Sequence, residues 1–257
     1  MVMETSGSHP DRCLSLTVSG PWAHFRRIEG NIVKQTYRIM PRTTVAGLLA
    51  ALLGIGRDEY YDLFGPRNSA IAIEPVRKLR TMNLPMNTLS TAESDLQKLN
   101  SRGAVSIKLP DPTKNRQQHN YEVLVDPAYR IDVALEDEST YRELKKHLAD
   151  GRSHYVPSLG LSEHLATIHY HGEYPVRPGP DEERVRVDSA VPTSLDSVVL
   201  NPSQRVQVEE SPGFMTMEGG GRITDRFITY SFSPEAEPIA VRDVETAEVD
   251  GRTVAFV

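Results

Sequence analysis

Cations and aromatic rings alternate along the segment from Trp22 to Arg42, which we call the first basic stretch. It holds five basic residues against a single acid, Glu29. Proteins grip single-stranded RNA with cations at its phosphates and with ring or guanidinium planes against its unstacked bases. The pattern therefore predicts a single-stranded RNA site built from these side chains: Trp22, Phe25, Arg26, Arg27, Lys34, Tyr37, Arg38 and Arg42.

A second basic stretch runs from Lys98 to Arg116 and again holds five basic residues against one acid, Asp111. It lies inside a polar, turn-rich excursion from Arg80 to Tyr121, and an excursion of this length in a compact domain is usually functional or disordered. Two candidate strands, Ala104 to Leu109 and Tyr121 to Val125, would face each other. We expect a projecting hairpin that offers three further RNA contacts: Lys108, Lys114 and Arg116. The alternative is a flexible surface loop.

The chain as a whole is acidic, with a formal net charge of -6 at pH 7. Such a surface does not attract nucleic acid in general, so an RNA site has to be a local concentration of positive charge. The acids gather elsewhere, above all in the tail from Glu235 to Asp250. An ordinary explanation of the first basic stretch stays open, in which its rings pack onto a sheet and its cations are merely solvated.

Composition indicates an ordinary globular protein, with 39% hydrophobic and 25% charged residues. The longest apolar run, Val45 to Leu53, is far shorter than the roughly 20 residues that a bilayer crossing needs. The first ten residues are polar and show no signal-peptide pattern. Cys13 is the single cysteine, which excludes an internal disulfide and a cysteine-based zinc cage. We expect a cytoplasmic protein without a metal or another cofactor.

Hydrophobic periodicity places the main elements. Cys13 to Ser19 alternates with period 2, as a half-buried strand does, and Asp137 to Ala149 has the spacing of an amphipathic helix. Another helix buries a stripe at i, i+3, i+4, i+7 and i+8 and is closed by Gly54 and Gly56. Its stripe consists of Val45, Leu48, Leu49, Leu52 and Leu53. We also predict a short helix over Asp58 to Phe64 and strands over Ala70 to Leu79 and Leu165 to Tyr170.

The order strand, helix, strand, hairpin, helix, strand predicts an α+β fold of the ferredoxin-like or RNA-recognition type. In that topology the helices cover one sheet face and the other face can be left for a ligand. We expect this domain over residues 12–175, with the excursion inserted at about 80–121. Residues 176–257 are expected to form a β-rich C-terminal region packed on it.

Three runs resemble a known family. They are FRRIEGNIVKQTYRIMPRTTVAGLLAALLGIGRDEYYDLFG from Phe25, NYEVLVDPAYRIDV from Asn120 and YVPSLGLSEHLATIHYHGEY from Tyr155. The chain is similar to the fifth core family of CRISPR-associated proteins in the RAMP superfamily, most closely to its type I-B members. The resemblance implies a non-catalytic subunit of a Cascade complex that caps the 5′ handle of the guide RNA. It further implies a thumb hairpin, contacts with the backbone and large subunits, and target DNA met only through the complex.

Two other functions remain open. Some type I-C relatives cut the guide precursor without a metal, using a histidine, a lysine and a tyrosine, for which Tyr37, Lys114 and His119 are the candidates here. The similarity to type I-B points away from cleavage, because those systems have a dedicated processing enzyme. A purely protein-binding scaffold is the other alternative.

Several further patterns are expected to carry no chemistry. His154, His164, His169 and His171 lack regular metal-ligand spacing. Ser158 lies outside any G-x-S-x-G elbow, so a turn explains it better than a nucleophile does. Gly219 to Gly221 could cradle a phosphate with backbone N–H groups, although simple backbone flexibility explains three glycines equally well.

Overall fold

The computed structural model describes residues 10–27, 33–89 and 116–257. Its first part contains ten elements: β1 Arg12–Ser19, β2 Trp22–Ala23, β3 Val33–Lys34, α1 Arg42–Leu53, β4 Ser69–Pro75, β5 Arg80–Leu89, β6 Arg116–Val125, β7 Ala128–Leu135, α2 Glu138–Ala149 and β8 Thr167–Pro175. The rest is strands and one short 3-10 turn: β9 Arg177–Pro178, β10 Val185–Val187, the turn Leu195–Ser197, β11 Gln207–Glu218, β12 Gly221–Phe232, β13 Ile239–Val241, β14 Ala247–Val249 and β15 Arg252–Val254. The predicted α+β class is confirmed.

A four-stranded antiparallel sheet forms the centre, in the order β4-β7-β1-β8. Leu16 of β1 lies opposite Ile131 of β7 on one side and Tyr170 of β8 on the other. Leu14, Leu16 and Val18 are fully buried and belong to one hydrophobic cluster with the apolar stripes of α1 and α2. Both helices therefore cover the same face of this sheet.

The two helices follow their sequence signals. α1 buries Val45, Leu49 and Leu52 and ends at Gly54, whose φ of 76° is left-handed and suits a glycine. α2 begins after Asp137, whose carboxylate accepts a hydrogen bond from the Thr140 N–H at 2.7 Å. No helix among the described residues is long and apolar enough to cross a membrane.

The second face of the sheet is covered at one end, contrary to the expectation of a face left for a ligand. Cys13, Ala72 and Ala134 point to this side and pack against β14 and β15 in a second apolar cluster. Small side chains on three neighbouring strands let these C-terminal strands approach closely. Arg252 of β15 also reaches in, with Nη2 2.9 Å from both oxygens of the buried Asp132 and Nη1 2.6 Å from Glu74.

Three local predictions need correction. Asp58–Phe64 forms turns instead of a helix, because Asp58 adopts a left-handed φ of 72° that a right-handed helix cannot include. The strand Tyr121–Val125 pairs with Arg80–Leu84 of β5, whereas its predicted partner, Ala104–Leu109, lies outside the described residues. For residues 176–257 the sequence indicates short strands and loops with little helix, whereas β11 and β12 form a hairpin of 12 residues a side.

Candidate nucleic-acid interface

Strands β2 and β3 of the first basic stretch lie on one edge of β6, and β5 lies on its other edge. We call these four strands the hairpin platform. Trp22 pairs with Val125, and Lys34 pairs with Tyr121. The first basic stretch is thus joined directly to the base of the hairpin that the excursion forms.

The β5–β6 hairpin continues well past this base. Its ladder runs over ten residue pairs, from Arg80 opposite Val125 to Leu89 opposite Arg116, which is about 30 Å at the usual rise of a strand. Residues directly opposite each other share a face. One face carries Met82, Leu84 and Met86 together with His119, Tyr121 and Val123, and the other carries amides and Glu122. Apart from Arg80 and Arg116 at the ends of the ladder, the described strands of this hairpin contain no lysine or arginine.

Two predicted RNA contacts, Arg27 and Arg38, are held by a buried acid. Glu209 of β11 is 3% exposed. Its Oε1 accepts a hydrogen bond from Arg27 Nη2 at 2.7 Å, and its Oε2 accepts one from the Arg38 main-chain N–H at 2.7 Å and another from the Ile39 N–H at 3.2 Å. Arg38 Nη2 also lies 3.4 Å from Glu122. These two carboxylates partly neutralise Arg27 and Arg38. The two arginines therefore hold the backbone of the first basic stretch in place more than they add to its positive potential.

We expect Glu209→Ala to lower the free energy of unfolding by about 2–3 kcal/mol, because it leaves two main-chain N–H groups and the Arg27 guanidinium without their acceptor. Urea titration measures the loss. Glu209→Gln is the matched control, since its carbonyl oxygen preserves one acceptor, and it should lose less. Equal stability of the alanine variant and the parent protein would contradict this structural role of Glu209.

Three of the predicted contacts are buried in the core. Phe25 is 2% exposed and meets Tyr129 edge-on at a ring-centroid distance of 6.0 Å, and Tyr37 is 7% exposed. Arg42 is 1% exposed. A buried side chain has no face to offer a base or a phosphate, which argues against these three as RNA contacts. For the two rings, the alternative explanation of packing onto the sheet is the better one.

Arg42 has a structural environment of its own. It donates hydrogen bonds to the main-chain oxygens of Phe64, Ser69 and Val257, and it stacks over the Phe214 ring at 4.1 Å. Burial lowers the pKa of this guanidinium to about 10. Its role is to join the start of α1, the turn before β4 and the end of the chain.

Of the six other predicted contacts, four are described at least in part. Arg26 is exposed and has no ion pair with any described residue, while Trp22 and Lys34 are half-buried on β2 and β3. Arg116 begins β6, and only its main chain is described; Lys108 and Lys114 lie outside the described residues. RNA binding by these six residues stays a prediction.

Three rings that were not predicted as RNA contacts gather at the hairpin base. His24 meets Tyr121 at 5.1 Å, and His119 meets Tyr121 at 6.4 Å, both edge-on. His24 Nδ1 lies 2.8 Å from the carbonyl oxygen of Glu122, to which it can only donate. The period-2 placement of His119, Tyr121 and Val123 was the available signal for a shared strand face. Of the residues proposed for cleavage, Tyr37 lies in the core and Lys114 outside the described residues, so the described part does not show them together.

The remaining histidines do not form one cluster. His169 and His171 lie side by side on β8 at 4.8 Å, with His171 Nε2 2.7 Å from the Thr17 hydroxyl. His164 is buried, and burial lowers its pKa, as it does for His24. In the ranges that the structure describes, no group of three or more His, Cys, Asp or Glu side chains could hold a metal ion.

Buried neutral histidines make stability depend on pH. Because burial lowers the pKa of both His24 and His164, the unfolded chain takes up their protons at a higher pH than the folded chain does. The free energy of unfolding should therefore fall as the pH drops below about 6.5, the ordinary histidine value. Urea titrations at pH 7.5 and 5.5 measure the change, and His24→Gln should reduce it. A free energy that stays constant or rises on acidification would contradict this linkage.

Comparison with known proteins gives a family and a fold. The family model described as CRISPR-associated protein (Cas_Cas5) matches residues 13–209. A CRISPR protein from Archaeoglobus fulgidus has a similar crystal structure, with a TM-score of 0.52, 19% identity, and coverage of 95% of this chain and 98% of that one. A chain of a CRISPR RNA-guided surveillance complex is 14% identical over 90% of this chain and 91% of its own, with a TM-score of 0.49. No curated protein matches by sequence.

Proposed function

This chain belongs to the Cas5 family of CRISPR-associated proteins, and we propose that it holds the 5′ handle of the guide RNA in a type I interference complex resembling type I-B. The observation that carries the proposal is the hairpin platform. It joins the cations of the first basic stretch to a projecting hairpin with an apolar, ring-bearing face.

The fold supports this proposal. The four strands in the order β4-β7-β1-β8, with α1 and α2 as the connecting helices, agree with the ferredoxin-like arrangement that we propose for this domain. We assign the β5–β6 hairpin as the thumb, inserted between the second and third strands of that domain. Because β14 and β15 cover one end of the open sheet face, the RNA is expected on the platform and not across that sheet.

The base of the platform and the outer part of the hairpin would contact different parts of the RNA. At the base, Arg26 and Lys34 would meet phosphates, because both are cations on its strands or beside them. Further out, the thumb presents Met82, Met86 and Tyr121 and no described cation, which suits contact with bases and separation of neighbouring nucleotides. Lys108, Lys114 and Arg116 would add phosphate contacts where handle meets spacer.

The proposal includes the setting of the protein. We propose that the chain works in the cytoplasm as part of a ribonucleoprotein for antiviral defence. In it the chain would contact the backbone and large subunits and meet target DNA only through the complex. It would need no cofactor and would not cleave RNA itself.

Crosslink mapping in the purified complex tests the RNA contact. With photoreactive nucleotides in the handle, we expect crosslinks in peptides that contain Trp22 or Tyr121, because both rings belong to the hairpin platform. A complex that assembles on the guide with no crosslink to this chain would favour the scaffold alternative.

A nuclease assay separates the cap from an enzyme. Incubation of the purified protein with repeat RNA in EDTA is expected to leave the RNA intact. Specific cleavage that disappears in His119→Ala would overturn the non-catalytic assignment in favour of a metal-independent endoribonuclease.

A further inference from the structure

A cleft of about 420 Å³ opens beside the hairpin platform, where α1 begins. Its walls come from five parts of the chain: the segment that follows β2, the outward side of α1, the turns after α1, the loop before β8 and the start of β12. The wall residues that matter most are His24, Arg26, Thr43, Thr44, Tyr60 and Arg222.

Two arginines from distant parts of the sequence line this one cleft. Arg26 is exposed and makes no ion pair with a described residue. Arg222 follows the glycine-rich turn of the β11–β12 hairpin, and its Nε lies 3.4 Å from Asp58, which holds the side chain in position and neutralises part of its charge. A cleft that collects two guanidinium groups favours an anion.

The N-terminus of α1 adds to the positive potential. Thr43 and Thr44 of its first turn belong to the cleft wall. Pro41 precedes the helix without a side-chain cap, and the first turn contains no acidic residue. The first N–H groups of such a helix and the positive end of its dipole favour a phosphate.

A buried imidazole lies in the wall of the cleft. His24 is 1% exposed, and its Nδ1 donates a hydrogen bond to the Glu122 carbonyl at 2.8 Å. This bond ties the segment that carries Arg26 to β6. A nucleotide supplies the phosphate that the two arginines would bind.

We propose that this cleft holds one nucleotide of the RNA by its phosphate, between Arg26, Arg222 and the first turn of α1. The proposal rests on the RNA-binding function above and extends the site from the hairpin platform across Arg26 to the β11–β12 hairpin. It gives a role to the glycine-rich turn, which sets the start of β12 against α1.

Thr44→Glu tests the cleft without disturbing the fold. A carboxylate in the first turn of a helix is favourable with the dipole, so the melting temperature should stay the same or rise. The same carboxylate would repel a phosphate, and we expect the affinity of the full-length protein for a single-stranded handle RNA to fall about tenfold at low salt. Thr44→Gln is the matched control, because glutamine has nearly the shape of glutamate without its charge. It reports the steric part of the loss, and the difference in affinity between the two variants measures the electrostatic part.

Arg222→Gln provides a second measurement. Loss of one phosphate contact should make the slope of log affinity against log salt shallower by about 0.7. Arg184→Gln is the control, because Arg184 is equally exposed and lies outside the cleft. If the parent binds RNA and neither Thr44→Glu nor Arg222→Gln differs from its control, the cleft is not a phosphate site, while the RNA-binding function stands. If the parent binds no handle RNA alone or in the complex, both proposals fail.

Discussion

Arg252→Met is expected to lower the free energy of unfolding by about 3–5 kcal/mol, because it leaves Asp132 buried without its partner. Glu74 loses the same cation, to which its Oε2 lies at 2.6 Å. The three side chains lie between the central sheet and β15, with exposed side-chain fractions of 13% for Arg252 and 1% for Asp132. Water therefore cannot replace the missing guanidinium easily.

A double variant separates the charge effect from lost packing. Asp132→Asn combined with Arg252→Met removes the unpaired carboxylate, and we expect it to recover a large part of the lost stability. Arg142→Met is a control on the surface, where Arg142 pairs with Glu138 across one helical turn and is 76% exposed, so it should change little. Urea titration of all variants measures the difference. A double variant no more stable than Arg252→Met would show that packing, and not the buried charge, is what the arginine supplies.

The second large effect concerns RNA. Charge reversal at both Arg26 and Lys34 is expected to prevent assembly of the complex on its guide, because it turns the cations at the platform base into a barrier to phosphates. The milder pair Arg26→Gln and Lys34→Gln should make the salt slope of RNA binding shallower by about 1.4, or about 0.7 for each contact with a single strand.

The matched control for this pair is the double change of Arg184 and Arg186 to Gln. Both arginines are exposed. Arg186 lies in β10 and Arg184 directly precedes it, and neither belongs to the hairpin platform. Filter binding over a range of salt concentrations gives the slopes, and co-purification with guide RNA reports assembly. If the Arg26 and Lys34 reversals still assemble as the parent does, the first basic stretch does not hold the handle.

The elements that sequence predicted well depend on local periodicity. The stripe of α1, the alternation of β1 and the amphipathic pattern of α2 each lie within a dozen residues, so neighbouring side chains alone reveal the buried face. The β5–β6 hairpin was harder to predict, because Pro85 lies in the middle of β5 and prolines usually interrupt strands. Among the described strands β5 pairs with β6 alone, so an N–H is not needed for pairing at every position.

The site residues show where sequence reasoning stops. Phe25 and Arg26 are neighbours in the sequence, and both were predicted to contact RNA. Phe25 is in the core, whereas Arg26 is exposed. Glu209, which pairs with Arg27, lies 182 positions away in the sequence. No local sequence pattern predicts such a pair. Arg222 is also far in sequence from the other residues of the cleft. Only the folded chain brings the start of β12 to the cleft beside α1.

The position of Glu209 also limits how the protein can be shortened. A fragment that stopped before β11 would keep the first basic stretch and the β5–β6 hairpin. Arg27 and Arg38 would then lack Glu209 as their counterion, and the loop that carries Ile39 would lack an anchor. Such a minimal piece would bind polyanions indiscriminately, and RNA affinities measured with it would misrepresent the intact subunit.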